Sequence, residues 1–398
     1  MNNLGSLLRF EVKKIIGKRH IKALFAILIL ATLLINCWAF WGTTKIRYLD
    51  DSGQVITETV SILSAVQTER KYALMYSGQA LDNELIQELQ AFEKEYGWDC
   101  MNMYWVHHML YELGLDPNGI MASEEGIAKH LKAEQEHIWY SLSLTDSEIS
   151  EWADKPGKIE LPLQIAYTRG YTNMIKNAYW LNMMLVFFVI IVLCDSFSKD
   201  RQTHTRPLLQ SSRNGHGSAI IGRILAGLLV TLGATLCVYL LSAIIQFGIH
   251  GFDGWSAPIQ QVCSDLVWSN LLISAGSAML LMYGTSIVLL LMMASLTMML
   301  SQFSQNAIIT LAVPLSALFM SLVFDFFIFY RERFWSQIWR FLPIQRIDVD
   351  IFYDHRLVNL FGIYIKSIPF SFVLYGGIIL LTVALCIAHT KITRMDKQ

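Results

Sequence analysis

Much of the usual catalytic vocabulary is missing from these 398 residues. There is no G-x-x-x-x-G-K-S/T loop, so the chain does not itself hydrolyse ATP by the phosphate-loop route. No G-x-S-x-G nucleophile elbow occurs. His107 and His108, like His130 and His137, lack any H-E-x-x-H or Cys/His framework, and read as ordinary surface histidines with no metal. No internal repeat is visible. Cysteine is scarce at six residues, and Cys37, Cys194, Cys237 and Cys386 fall in apolar runs, where a thiol behaves as a small hydrophobe. Cys100 and Cys263 could meet on one side, but nothing in their spacing pairs them and they read as unpaired. Charge is the scarcest commodity: 16% of residues, against about 25% in soluble domains.

What replaces charge is apolar length. A bilayer core needs roughly 20 helical residues to cross it. Runs of that kind occur at 21–41, 178–195, 219–247, 271–300, 307–330 and 368–388. The composition therefore predicts an all-α polytopic membrane protein with six transmembrane helices. The first run lacks a small-residue cleavage site and ends in Trp38, Phe40 and Trp41, so it reads as a span and not a signal peptide.

Charge then orients the spans. The segment before the first carries Arg9, Lys13, Lys14, Lys18, Arg19 and Lys22 against Glu11 alone. The segment between spans two and three is basic, and the tail carries Lys391, Arg394 and Lys397 against Asp396. With six spans all three share a side, which the positive-inside rule makes the cytoplasm, so both termini are expected there. Residues 43–177 hold 21 acidic and 11 basic residues, an asymmetry fitting the outer side. One stretch resists: 331–367 is expected outside yet carries Arg331, Arg333, Arg340, Arg346, Arg356 and Lys366. Glu332, Asp348, Asp350 and Asp354 offset most of them.

The expected organisation follows. Residues 1–20 form an amphipathic interfacial helix, with Leu4, Leu8, Val12 and Ile15/Ile16 as an apolar stripe in the headgroup boundary. Span one is 21–42. Residues 43–177 form a helical extracellular domain, with a helix over 81–96 that stops at Gly97 and a capping box at Thr145 and Glu148. Asp116–Pro117–Asn118–Gly119 and Pro156–Gly157 mark breaks. Span two is 178–198, a cytoplasmic loop is 199–217, spans three and four lie in 218–300, and span five is 306–330, kinked at Pro314. The aromatic, arginine-rich 331–367 reads as an external interfacial or re-entrant segment, and 368–398 as span six with its tail. Asp325 is the lone ionisable residue inside a span. It reads as a pathway acid or as an interfacial acid reaching water or Arg331. No chain of buried acids and histidines suggests a proton-driven carrier.

The loop "DRQTHTRPLLQSSRNGHGS" carries leucines that a purely solvated connector would not need. Its order is Asp200, His204–Thr205, Leu208–Leu209, Ser211–Ser212, Arg213 and then Arg223 at the opening of span three. Together with the span count and the helix over 4–19, this order resembles the ABC-2 type permeases, membrane subunits of ATP-binding-cassette transporters. Their loop has Glu for Asp200, Gly for His204 and Lys for Arg223, and their external loop is often shorter than 43–177. The resemblance implies that the loop is a coupling helix contacting a cytoplasmic ATPase subunit through Asp200, Arg201, Thr205, Leu208, Leu209 and Arg213. Leucines would anchor and Arg201, Arg206 and Arg213 would orient.

It further implies a non-enzymatic permease in the cell membrane, a bacterial plasma membrane by resemblance, paired with itself or a related permease. ATP and magnesium would sit on the partner subunit. The cargo would be an exported amphipathic or hydrophobic compound, such as an antimicrobial peptide, a drug or a lipid-like molecule. No nucleic-acid role is expected. The rival classes are a membrane sensor whose external domain reads a ligand for a cytoplasmic partner, and a membrane enzyme of lipid or peptidoglycan chemistry. The first lacks an output domain in this sequence and the second lacks an acid/base or metal set.

Overall fold

The structure is a computed structural model. It describes residues 4–113, 125–126, 129–130, 132–133, 136–137, 144–153, 162–202, 218–267, 269–304, 306–326, 337–352, 354–360 and 362–395, without the side chains of 201, 324–326 and 391–395. The chain is mostly helical. Five helices are long and apolar enough to cross a membrane among the described residues, which makes this a multi-pass membrane protein. They are α2 (Arg19–Cys37), α7 (Arg169–Leu193), α9 (Ser218–His250), α10 (Ala275–Phe303) and α12 (Ser367–Met395). A shorter apolar helix, α11 (Ala307–Phe326), occupies the expected fifth span and contains Pro314. Asp325 lies in its last turn, and its side chain is outside the described residues.

Helices α7 and α10 form the centre of the bundle, each about three-fifths buried along its apolar stretch, while α2, α9 and α12 keep most of theirs on the outside. That gradient is what a bundle surrounded by lipid requires, since the outer faces of Ile27, Leu30, Leu240, Ile244, Val373 and Leu380 stay exposed. Helix α7 starts at Arg169, ahead of the expected 178. Its first turns are too polar for an apolar window, and they are buried in protein at Thr172, Met174 and Ile175 instead of lipid.

Below the bundle, α1 (Leu4–Ile16) is helical as expected, but its stripe is used differently. Leu8, Val12 and Ile15 pack into the bundle core instead of the headgroup boundary. The reason is the length of α9: 33 residues rise about 50 Å, well beyond a bilayer core of about 30 Å. Its first turns project past the apolar zone and offer α1 a partner. At Gly222 the two helices touch closely, since a Cβ there would stand 3.6 Å from Leu7 Cβ.

The domain between α2 and the next long apolar helix has a second core of its own, built from α3 (Ile62–Tyr76), α4 (Asn83–Tyr96) and α5 (Met101–Glu112). Asp82 caps α4 by accepting from Leu85 N, and Gly97 ends it at φ +87°. The capping box at Thr145 opens α6 (Asp146–Trp152). The turns at 116–119 and 156–157 lie outside the described residues.

One finding corrects the helical expectation. Strands β1 (Thr43–Leu49) and β2 (Val55–Ser61) form an antiparallel hairpin between α2 and α3. Its turn is fixed by Asp50, whose carboxylate accepts from Ser52 N and Gln54 N, with Gly53 at φ +78°. Its strands are dense in threonine and β-branched residues, a signal the helical reading passed over. In 331–367, residues 331–336 lie outside the described set, 337–339 are helical, and 3-10 turns follow at Pro343–Arg346 and Val349–Phe352. A small hairpin, β3 (Val358–Leu360) with β4 (Ile363–Ile365), then leads into α12.

All six cysteines are free, with Cys100 and Cys263 both buried. Burial pushes the Cys263 thiol up to about 12, so it stays protonated.

Candidate functional site

The loop singled out by its leucines has its described edge at an elbow after α7. The chain turns at 194–197 and forms a short helix, α8 (Ser198–Gln202), before reaching residue 203. Three other elements hold this elbow. From α10, Ser301 Oγ accepts from both Phe197 N at 2.9 Å and Ser198 N at 3.0 Å. From α9, Arg223 Nη1 donates to Ser196 O at 3.0 Å and to Asp200 at 2.5 Å. From α1, Glu11 meets Arg223 Nε at 3.3 Å. Lys18, just past α1, places its ammonium 2.7 Å from both oxygens of Asp195.

Arg223 is the hub. It is buried, and its guanidinium lies 5.0 Å from the Phe197 ring centroid. A guanidinium offers five donors in a rigid fork, so one side chain can serve Glu11, Asp200 and the Ser196 carbonyl together. A buried charge needs such pairing to persist. Lys14 approaches Asp200 at 3.8 Å from the solvent side. The elbow is thus held by hydrogen bonds and ion pairs to α9 and α10, and through Arg223 to α1.

Of the expected contact residues, Asp200 faces inward and belongs to this network, where its role is to position α8. Arg201 lies in α8 with its side chain outside the described residues. Thr205, Leu208, Leu209 and Arg213 also lie outside them. Glu11, Asp195 and Ser301 were not singled out from the sequence. Glu11 left one trace: it is the lone acid in a run of bases, placed one helical turn from Lys14 and Ile15.

A second set of buried polar groups runs up the bundle. Asn182 on α7 donates to Ser286 Oγ on α10 at 2.9 Å and accepts from Tyr239 OH on α9. Toward the start of α7 and the end of α9, Asn36 Oδ1 on α2 accepts from Ser242 Oγ at 2.7 Å and from Gln246 Nε2 at 3.0 Å. Asn173 Nδ2 is 3.0 Å from Gln246 Oε1 and 3.1 Å from His250 Nε2. Each group satisfies another, as burial away from water demands. Carboxamides carry no charge, so they leave no mark in the charge pattern of the spans.

Past the end of α9, Arg70 on α3 pairs with Asp253 at 2.7 Å, gripping the turn between α9 and α10. That turn needs its glycines. Gly251 has φ +77°, and a Cβ on it would lie 2.2 Å from Arg70 Nη2. Arg169 Nη1 stands 3.2 Å from His108 Nε2, and His108 stacks on Trp105 at 5.6 Å. Burial, with Arg169 beside it, pushes His108 down to about 4. Burial raises the Glu69 carboxyl, although Arg169 works against it.

A last cluster explains the arginines that strained the charge rule. Asp354 binds Arg340 at 3.0 Å and Arg346 at 2.9 Å, and Arg340 also donates to Arg356 O at 2.6 Å. Both arginines are buried, so they do not act as loop surface charge. The 43–177 domain covers this cluster: Trp152 Nε1 donates to His355 O at 2.7 Å, and Leu357 N donates to Glu148 Oε1 at 2.9 Å.

No known protein-family model matches the chain, and no curated protein sequence matches it.

Proposed function

We propose that this chain is the membrane-spanning permease subunit of an ATP-driven transporter, with the elbow at 194–200 as its transmission joint. The observation that carries the reading is the elbow itself. It adjoins the basic, leucine-bearing loop and is fastened to α1, α9 and α10 through Glu11, Arg223 and Ser301. A cytoplasmic ATPase that seats Leu208 and Leu209 and then closes would displace the elbow, and the displacement would pass into three helices at once.

Side-to-side contacts support six crossings. Glu11 and Lys18 join α1 to the elbow and to α9, so those segments share a side. Arg70–Asp253, Gln261–Gln164 and Ser264–Glu112 join the 43–177 domain to the 251–274 turn. Trp152–His355 and Lys366–Glu151 join the same domain to 337–366. Each crossing changes sides, so an even number must lie between the domain and 337–366. Helices α7, α9 and α10 make three, and α11 supplies the fourth. With α2 and α12 the count is six, and α1 and the tail fall together on the cytoplasmic side. The burial of Arg340 and Arg346 removes the main objection to that orientation.

In this reading the polar seam from Asn182 to His250 holds α2, α7, α9 and α10 in register. The external domain, gripping the outer end of α9 through Arg70, shapes the exit path for an amphipathic or hydrophobic cargo. A second permease copy, or a related one, completes the pathway.

The test is retrieval. Tagged full-length protein, extracted from its native membrane in mild detergent, should bring down an ATPase. Leu208→Asp with Leu209→Asp should release it while membrane level and gel-filtration profile stay unchanged. An undiminished ATPase in the double variant, or none with the native chain, overturns the proposal.

A further inference from the structure

Beside the elbow is a cavity of about 240 Å³ that the transmission role leaves unused. It is lined by Lys14, Ile15, Lys18, Lys199, Asp195 and Asp200, with Glu11 and Arg223 at its back. We infer that this cavity is a binding site for the phosphate headgroup of an anionic phospholipid, which wedges between α1 and the elbow.

Charge is the first argument. Three lysines and Arg223 line the cavity against three carboxylates, and those carboxylates are spoken for. Asp195 holds Lys18 with both oxygens, and Arg223 is gripped by Glu11 and Asp200. Lys14 keeps the longest of these contacts, 3.8 Å, on a side chain 41% exposed. Its ammonium has three donors, so it can serve a phosphate without giving up Asp200. Arg9 and Lys13 on α1, and Arg19 and Lys22 at the start of α2, add further positive charge nearby in sequence.

Position is the second argument, and it rests on the membrane placement given above but not on the ATPase. Helix α1 buries Leu8, Val12 and Ile15 in the bundle, yet leaves Phe10 63% and Ile16 48% exposed beside its lysines. Exposed aromatic and aliphatic side chains interleaved with lysines are the pattern of a helix at the headgroup level. Phe10 and Ile16 offer exposed apolar surface to an acyl chain on the same helix that brings Lys14 to the cavity. A soluble phosphate would use the lysines but gain nothing from that surface.

Polybasic clusters at this depth favour the anionic lipids of the inner leaflet. Here the headgroup would also touch the joint. It would stiffen the contact between α1 and α8 and so tie the response of the elbow to membrane composition.

The experiment uses purified full-length chain, without any ATPase, titrated by native mass spectrometry with palmitoyl-oleoyl phosphatidylglycerol, its phosphatidylcholine counterpart, and glycerol phosphate. Phosphatidylglycerol should be retained in preference to phosphatidylcholine. Lys14→Gln and Lys199→Gln should each weaken it about fivefold. Lys14→Arg should restore it, and Lys45→Gln, on the external hairpin, should leave it unchanged. Equal retention of the two lipids, or full retention by the double Gln variant, overturns the site. Glycerol phosphate binding as tightly as the lipid overturns the lipid assignment. Since no ATPase is present, lipid selectivity survives even if the retrieval experiment fails, and the two claims fall separately.

Discussion

Two buried guanidinium clusters are built on opposite plans. In one, an arginine serves two carboxylates: Arg223 on α9 meets Glu11 on α1 and Asp200 on α8. Partners 212 and 23 residues away in sequence converge on it. In the other, a carboxylate serves two arginines: Asp354 binds Arg340 and Arg346, all within one short segment. The first arrangement ties separate elements together, and it is the one proposed as a joint. The second sets the shape of a single loop, which the 43–177 domain then covers through Trp152 and Glu148. The proposal thus makes the first cluster a moving part and the second a fixed plug.

The largest expected effect breaks the plug. Asp354→Ala leaves two buried guanidinium groups without their shared carboxylate, and an unpaired buried charge costs about 3–5 kcal/mol. Its thermal unfolding should fall accordingly, and hydrogen exchange should rise over 337–357 and 144–152 while α1 stays protected. Arg223→Leu should cost less, about 3 kcal/mol, because Lys14 still faces Asp200, so one buried charge loses its pairing and not two. Exchange should then rise over α1 and α8 and not in the outer loop. Exchange rising in both regions in either variant would erase the distinction between plug and joint.

A smaller effect tests the link between external domain and spans. Gly251→Ala forces a side chain into a left-handed backbone and against Arg70, costing about 1–2 kcal/mol. The measurement is thermal unfolding, and an unchanged midpoint would mean that Arg70 does not fix the turn. The smallest is a pH dependence. Folding depresses the His108 pKa from 6.5 to about 4, so the unfolded chain binds more protons across that window. Stability is full above pH 6.5 and is lost as pH falls toward 4. His107, depressed in the same direction by burial, adds to this loss. The fall in unfolding temperature between pH 7 and pH 5 should shrink in His108→Gln and remain in Arg223→Leu.

How legible these parts were in the sequence depends on the range of the interactions that make them. Spans declare themselves by apolar length, and the caps at Asp82, Gly97 and Thr145 by residues within one turn. The hairpin at 43–61 was equally local, in its alternation and its Asp-Ser-Gly turn, but a helical expectation for the whole external domain masked it. The joint was not legible. Glu11 and Arg223, or Lys18 and Asp195, are brought together only by the packing of α1 on an overlong α9, which no periodicity records. The arginines of 331–367 looked like surface charge because their burial depends on Asp354 and on a domain two hundred residues away.

The transmission claim is tested most directly by hydrogen exchange over Leu4–Ile16 and the first turns of α9 in the complex with its ATPase, with and without magnesium ATP. The account expects nucleotide to change exchange in both segments of the native protein, and Arg223→Leu to confine the change to residues 199–217. No nucleotide-dependent change in α1 or α9 of the native complex would contradict it.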